Sequence, residues 1–170
     1  MGCDSLDFME VVKKRRSIRK YKPDPVPNEI INQILEAARM APSGSNRQPW
    51  HFIIVKDPET KKKLGLPIWA AEAPVIIVGC VDPTEGRWYV IDGSIAFEHI
   101  ILAATNFSLG TCWIGRLLKN LGETDKRIKG VLGIPKPMRV LAVTPLGFPA
   151  EEPKPKTTKT FQEIVHYEMF

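Results

Sequence analysis

The chain has 170 residues and a formal net charge of +5 at pH 7, with 44% hydrophobic and 25% charged residues. This length and composition indicate one globular domain spanning residues 1–170, with a sizeable core, and exclude a disordered or fibrous chain. Three widely spaced cysteines exclude a disulfide framework and a zinc-finger arrangement. A basic chain suits an anionic partner such as nucleic acid, a membrane surface or a small molecule.

The N-terminal residues show no secretory signal, because they are acidic and mixed rather than basic and then apolar. Residues 1–3, Met-Gly-Cys, are similar to a lipidation start, but Leu6 stands where myristoylation requires Ser or Thr. The most apolar stretch, residues 91–109, contains Asp92 and Glu98 and is typical of a buried helix rather than a membrane span. We therefore expect a cytoplasmic protein with no membrane partner.

Residues 5–16 are predicted to form a helix capped by Ser5, because apolar residues recur at helical spacing. Residues 13–20 then hold six cations in eight positions. One or two cations would complement the end of a helix dipole, so six exceed that structural need. Guanidinium groups and a hydroxyl match phosphate oxygens. We therefore expect a phosphate site formed by Arg15, Arg16, Ser17 and Arg19.

Prolines between residues 23 and 27 predict an extended connector, and Asn28 is predicted to cap a helix over 29–40. The loop that follows concentrates small hydrogen-bonding residues: Ser43, Gly44, Ser45 and Asn46. Gly44 permits positive φ and a close approach of the backbone to a ligand. Composition leaves two interpretations open, a solvated turn or a ligand loop held between a helix and a strand.

The middle of the chain predicts a short helix starting at Asp57-Pro58, with the lysines of 61–63 on its solvated face. Residues 65–73 form an ambiguous apolar segment, either a lid or a partner contact. The β-branched run 74–81 predicts a central strand buried on both faces. Cys80 in this run is expected to be a buried small hydrophobe.

The helix predicted over 87–108 is apolar nearly all round, which is typical of the centre of a fold or of a dimer interface. His99 in this helix is expected to have a local partner. Residues 110–115 predict a strand-like piece between two glycines. A short helix near 123–131 and a third apolar strand at 139–144 follow.

The tail, residues 149–159, is rich in proline and lysine and is predicted to be extended. Thr160 and Glu163 predict a capping box that opens a last short helix or turn. An extended arm that ends in apolar residues indicates packing against a second subunit.

No metal site and no catalytic side chain are predicted. The three histidines fall in no metal-binding spacing, and the nucleophile elbow, the dinucleotide fingerprint and the Walker loop are absent. The segments 15–19, 42–48 and 110–115 are polar or glycine-bearing without structural need, and together they suit an anionic, planar cofactor. The alternative from another class is nucleic-acid binding by the basic runs, but stacking aromatics are not interleaved with them.

Residues 14–21 (KRRSIRKY) resemble the opening motif of the nitroreductase family of flavin enzymes. Residues 41–52 (APSGSNRQPWHF) resemble its second motif, residues 109–115 (LGTCWIG) its third, and residues 164–168 the ending of its short members. The resemblance covers nearly the whole chain. It implies an α+β fold with a central, mostly antiparallel sheet flanked by helices. It also implies a homodimer with two FMN sites at the interface and exchanged C-terminal arms.

The resemblance implies a role for each motif. The phosphate, the ribityl chain and the pyrimidine edge of FMN would be held by Arg15, Arg16, Ser17 and Arg19. At least one of these cations, placed at the pyrimidine edge, would raise the reduction potential of FMN. The other subunit would line the ring and ribityl chain with Ser43, Gly44, Ser45 and Asn46, of which Asn46 is the candidate for a ring hydrogen bond. Trp113 would pack near the ring, and Ile114 and Gly115 would offer backbone amides near flavin N5. Where many relatives have an arm arginine, this chain has Thr158, with Lys159 as the substitute cation.

The implied activity is ping-pong oxidoreduction, in which NADH or NADPH reduces FMN and a nitroaromatic, quinone or similar small oxidant then takes the electrons. Three specialised flavin enzymes on the same scaffold are alternatives: a dehalogenase, a flavin-cleaving enzyme and a ring dehydrogenase. A non-catalytic flavin-binding protein is a further alternative. The preferred nicotinamide and the physiological acceptor stay open at this point.

Overall fold

A computed structural model describes residues 7–115, 122–153 and 155–170. The α-helices in these ranges are α1 (Phe8–Lys14), α2 (Asn28–Arg39), α3 (Pro58–Lys63), α4 (Ile68–Ala71), α5 (Tyr89–Asn106) and α6 (Gly122–Leu132). The strands are β1 (Trp50–Val55), β2 (Val75–Val81), β3 (Gly110–Thr111), β4 (Ile114–Gly115) and β5 (Arg139–Gly147). No helix in the described ranges is long and apolar enough to cross a membrane.

One antiparallel sheet organises the chain, in the order β1-β2-β5-β3, with β4 also paired to β5. All seven residues of β2 are buried, which confirms the predicted central strand. The third predicted strand extends beyond residue 144 to Gly147. The predicted α+β class with an antiparallel sheet is thereby confirmed.

The two faces of the sheet carry separate hydrophobic layers. Alternate residues of β2 point to opposite faces, so Val75 and Ile77 pack with α2 and α5, while Ile76 and Val78 pack with α6. Gly79 allows the close approach of α5, because a Cβ there would lie 2.7 Å from the ring of Phe97. The helix α5 is therefore fixed directly against the sheet.

Several local predictions at the helix starts need correction. The helix α1 spans Phe8–Lys14 rather than 5–16, and the predicted cap Ser5 lies outside the described residues. Asn28 is the first residue of α2 and does not cap it; its side-chain oxygen accepts a hydrogen bond from Lys56 instead. Asp57 does cap α3, accepting from the backbone N–H of Thr60 at 2.7 Å.

Lys61 is buried rather than solvated, which is a further correction to the prediction. Its Nζ donates to the carbonyl of Ala73 at 2.6 Å, and burial lowers the pKa of this ammonium group. The ammonium thus satisfies a carbonyl just before β2. The neighbouring Lys62 and Lys63 are exposed as predicted.

The helix α5 is not buried on every side of the single chain. Its inner face is fully buried, but Ile91 is 53% exposed and Ile95 is 37% exposed. His99 pairs through Nδ1 with the carbonyl of Ala37 on α2, 2.9 Å away, so its partner is not local. An exposed apolar stripe on a central helix is the arrangement expected of an interface helix.

Candidate functional site

The cationic segment, residues 15–19, lies beside the glycine-bearing segment 110–115. The backbone turns extended at Arg15, which ends α1. Ser17 then forms a parallel bridge with Thr111, and the N–H of Ile18 donates to the carbonyl of Thr111 at 2.8 Å. Gly110 permits this contact, because a Cβ there would lie 2.7 Å from Ile18. Two segments about 95 residues apart in the chain are thus joined through their backbones.

The start of the C-terminal arm holds the other side of this segment. The N–H of Lys22 donates to the backbone carbonyl of Phe148 at 2.8 Å, and the N–H of Ala150 donates to the backbone carbonyl of Lys20 at 2.9 Å. The Glu151 carboxylate accepts from the N–H of Arg19 at 2.6 Å and from that of Lys20 at 3.2 Å. Glu151 was not among the predicted site residues, and an acid in a polar tail has no local signature of this role.

The three arginines of the cationic segment have different environments. The Nη1 of Arg16 donates to the carbonyls of Lys13 at 2.6 Å and Arg15 at 2.8 Å, so this guanidinium turns back onto the end of α1. The Arg19 guanidinium lies over the ring of Trp69, 5.7 Å from its centroid. A cavity of about 430 Å³ opens here, lined by Arg16, Ser17, Arg19, Glu151, Glu152 and Pro153.

Arg15 lies near a carboxyl group on α5. Partial desolvation raises the pKa of Glu98, although the residue is exposed, and the charges of Arg15 and Lys156 act in the opposite direction. The charge of Lys156, in the arm, therefore acts on Glu98. Lys159, the predicted substitute for an arm arginine, is exposed, and its side chain has no hydrogen bond or ion pair within the described ranges.

The loop 43–46 has a strained backbone. The backbone φ angles of Ser45, Asn46 and Gln48 are 53°, 54° and 51°, and residues other than glycine rarely adopt such positive values. Gly44 does not have positive φ, contrary to the role expected for it; it allows close packing instead, since a Cβ would lie 3.0 Å from Cδ1 of Trp88. Backbone strain concentrated in one loop is typical of functional sites.

Hydrogen bonds hold this strained loop in place. The Gly44 N–H donates to the buried carboxylate of Asp92 at 3.2 Å, and the Gln48 N–H donates to Oγ of Ser43 at 3.0 Å. Nε2 of Gln48 donates to Oδ1 of Asn46 at 2.9 Å. The carboxamide oxygen of Asn46 is thus engaged, which leaves its NH₂ group as the donor for a ligand. Asp92 was not predicted as a site residue, because its partner Gly44 lies 48 residues away and no pattern near Asp92 indicates it.

The segment 110–115, predicted as one strand-like piece, divides into the two short strands β3 and β4. Trp113 lies between them, 40% exposed, with its ring edge-to-face on Phe97 at 4.7 Å between centroids. Ile114 and Gly115 pair with Val143 and Ala142 of β5. In an antiparallel pair only alternate residues direct their N–H to the partner strand. Of the N–H groups of Ile114 and Gly115, therefore, one points towards β5, and only the other points away and could contact a ligand.

The structure brings together only two of the three predicted segments. The loop 43–46 contacts Asp92 near the start of α5, whereas the chain entering β3 is bonded to Ala104 near its end, through the N–H of Leu109 at 2.8 Å. Twelve residues of helix separate these points, or about 18 Å. Within one chain, the cationic segment and the strained loop therefore lie at opposite ends of α5.

Comparison with known proteins agrees with the fold. The sequence profile of the nitroreductase family matches residues 12–74 and 67–148. A Methanothermobacter thermautotrophicus protein, provisionally named NADH dehydrogenase/NAD(P)H nitroreductase, is 39% identical over 156 residues, which is 87% of this chain and 80% of that protein. The FMN reductase [NAD(P)H] of Bacillus subtilis is 32% identical over 190 residues, covering 95% of this chain and 74% of that protein.

A solved structure gives the same result in three dimensions. The FMN-dependent nitroreductase of Clostridium difficile R20291 superimposes with a TM-score of 0.87 at 34% sequence identity. The match covers 95% of this chain and 99% of that chain. The fold, the order of the three motifs and these similarities agree, and the chain belongs to the nitroreductase family.

Proposed function

We propose that the protein is an FMN-dependent oxidoreductase that takes electrons from NADH or NADPH and passes them to small acceptors such as nitroaromatics or quinones. The observation that carries this proposal is the junction of the cationic segment with β3, which places guanidinium groups beside a glycine-bearing strand in a nitroreductase fold. The relatives support it, since FMN appears in the names of the Clostridium difficile and Bacillus subtilis proteins.

The residues present fit FMN. Its phosphate requires cations with several donors, and the cavity of about 430 Å³ at Ser17 and Arg19 supplies them. The carboxylate of Glu151 in this cavity is already engaged by two backbone N–H groups. The ring requires donors and flat apolar surface, which Asn46 and Trp113 offer.

FMN, when bound, accepts hydride and delivers electrons, so the protein supplies binding, orientation and shielding. Arg15 and Arg19 bind the anionic parts of the cofactor, with Ser17 as a hydroxyl donor. Trp113, with Ile114 and Gly115 after it, covers the ring and contributes a backbone amide near N5. No side chain is assigned as a general acid or base, because hydride transfer to the ring needs none.

A homodimer would complete this site. Large apolar side chains are exposed on α5 and along the tail. Ile91 on α5 is 53% exposed, and the tail residues that are 60% exposed or more are Phe161, Ile164, Tyr167, Met169 and Phe170. Apolar surface of this extent marks a protein–protein interface. In the proposed dimer, the loop 43–46 of one chain lines the cofactor held by the cationic segment of the other, and the arms are exchanged. Each chain is a single domain.

The visible spectrum of the purified protein tests the proposal. We expect a yellow protein that releases its flavin on denaturation. Without oxygen, NADH or NADPH should bleach the bound flavin, and adding a quinone should restore the colour. Colourless protein that takes up no added FMN would contradict the proposal. A bound flavin that neither nicotinamide bleaches would favour a specialised enzyme on the same scaffold.

A further inference from the structure

A second polar cavity, of about 700 Å³, lies at the N-terminal end of α5. Its walls include Gly44 and Ser45 of the strained loop, together with Arg47, Arg87 and Trp88. The cavity therefore begins at the loop that is proposed to face the flavin. A ligand that reacts at the flavin and extends past this loop would enter it.

Two guanidinium groups at this cavity are held in place without an anionic partner. Arg87 lies over the ring of Trp88, 4.6 Å from its centroid. The stem of Arg47 packs on Gly86, where a Cβ would lie 2.9 Å from Cδ of Arg47 and where φ is 129°. Across the part of the chain that the structure describes, neither guanidinium has an ion pair or a hydrogen bond. Restraint of this kind lowers the entropy lost on binding an anion.

Among the described residues, the carboxylates around the cavity form no ion pair with either guanidinium group. Asp92 is buried and accepts the N–H of Gly44. Asp82, just outside the cavity, accepts from both the N–H and the hydroxyl of Thr84 at 2.8 and 2.7 Å. Glu85 is exposed at the rim and is the one lining carboxylate without such a partner among the described residues. The walls of the cavity therefore offer two guanidinium groups and an indole ring.

We propose that this cavity receives the phosphate-bearing end of the nicotinamide donor and that Arg47 and Arg87 hold the 2′-phosphate of NADPH. The inference rests on the proposed function, because it requires a donor whose nicotinamide reaches the flavin. A terminal phosphate matches two guanidinium forks. NADH lacks that phosphate, so the enzyme prefers NADPH.

Steady-state kinetics with both donors test the preference. We expect Arg47→Ala and Arg87→Ala each to raise the KM for NADPH by about tenfold or more, the loss of one charge-assisted contact, and to leave the KM for NADH unchanged. Arg127→Ala, on α6 across the sheet, removes the same charge and should change neither KM. Glu85→Gln should lower the KM for NADPH. Equal KM values for NADPH and NADH in the wild-type protein overturn the inference, as does an equal effect of the arginine variants on both donors.

A binding measurement separates this inference from the proposed function. Calorimetric titration with adenosine 2′,5′-bisphosphate should show binding about tenfold or more tighter than titration with AMP, and the advantage should vanish in Arg47→Ala. Arg47→Lys, which keeps the charge but loses the fork, should be intermediate. Flavin content is measured in every variant. A flavoprotein with equal affinity for the two nucleotides overturns only this inference, whereas a protein that binds no flavin overturns the proposed function.

Discussion

The cationic segment and the strained loop are proposed to bind the same cofactor, but the fold holds them in opposite ways. Residues 15–19 are held by ordinary backbone hydrogen bonds, to Thr111 on one side and to the start of the arm on the other. The loop 43–46 has two successive residues in the left-handed region and is held there by Asp92 and Ser43. One half of the site therefore adds to stability, and the other half costs stability.

The two halves also occupy opposite ends of α5. The anion-binding half uses backbone hydrogen bonds of the kind that form at sheet edges. The loop instead requires flanking elements, α2 and β1, that impose its backbone. Four experiments, from the largest expected effect to the smallest, test whether the two halves differ in this way and whether they meet across a dimer.

Deletion of residues 152–170 should have the largest effect, because it removes the exposed apolar end of the arm but keeps the contacts of Glu151. We expect dimerisation to weaken by more than about a hundredfold, since each anchoring aromatic contributes about 2 kcal/mol at an interface. Sedimentation equilibrium and flavin content measure the result. Replacing Phe161 and Ile164 together by serine should give a smaller loss. A truncated protein that sediments like the full chain would rule out the exchanged arm.

Arg15→Ala and Arg19→Ala should each weaken FMN binding by about tenfold or more, because each removes a charge-assisted contact. Arg16→Ala should weaken it less, because this guanidinium donates to carbonyls at the end of α1. Fluorescence titration of the flavin-free protein measures the affinities. If both Arg15→Ala and Arg19→Ala bind FMN like the wild type, the cofactor's anionic parts lie elsewhere.

Ser45→Gly should raise the free energy of unfolding by about 1 kcal/mol, because it removes the strain of a positive φ. The same change should weaken FMN binding, because it loosens the loop. Ser108→Gly is the matched control for stability: Ser108 has a φ of 57° just after α5, so this change should stabilise the protein by a similar amount. Chemical denaturation and flavin titration measure the two effects. A destabilised Ser45→Gly variant would show that the loop is not strained.

Glu98→Gln should have the smallest effect, and the size of this effect depends on pH. Partial desolvation raises the pKa of Glu98, although the residue is exposed, so the folded state binds its proton more readily than the unfolded state. The stability from this group is present below its unfolded pKa and is lost as pH rises through its folded pKa. The variant should therefore be slightly more stable than the wild type near neutral pH, and this difference should disappear on acidification. A constant difference between pH 4 and pH 8 would assign the effect to packing.

Much of the fold was predictable because its signals are local. The β-branched run at 74–81 indicated the buried central strand, and Asp57 and the pair Thr160 and Glu163 were confirmed as caps. The capped segment after Thr160 is the single turn Phe161–Glu163, which agrees with the predicted short helix or turn. The predictions that failed, such as the cap at Asn28 and the solvated Lys61, concern side chains whose partners lie on other elements.

The sequence by itself determined the chemistry of this protein: three motifs, a cationic segment, a polar loop and an amphipathic tail, each encoded by neighbouring residues. Only the tertiary structure decided that Glu151 binds the backbone of Arg19, 132 positions away, and that Asp92 holds Gly44. It also decided that the strain lies at Ser45 and Asn46 rather than at Gly44. The physical reason is that a long-range hydrogen bond or an imposed dihedral angle depends on where other elements pack, which leaves no pattern among adjacent residues.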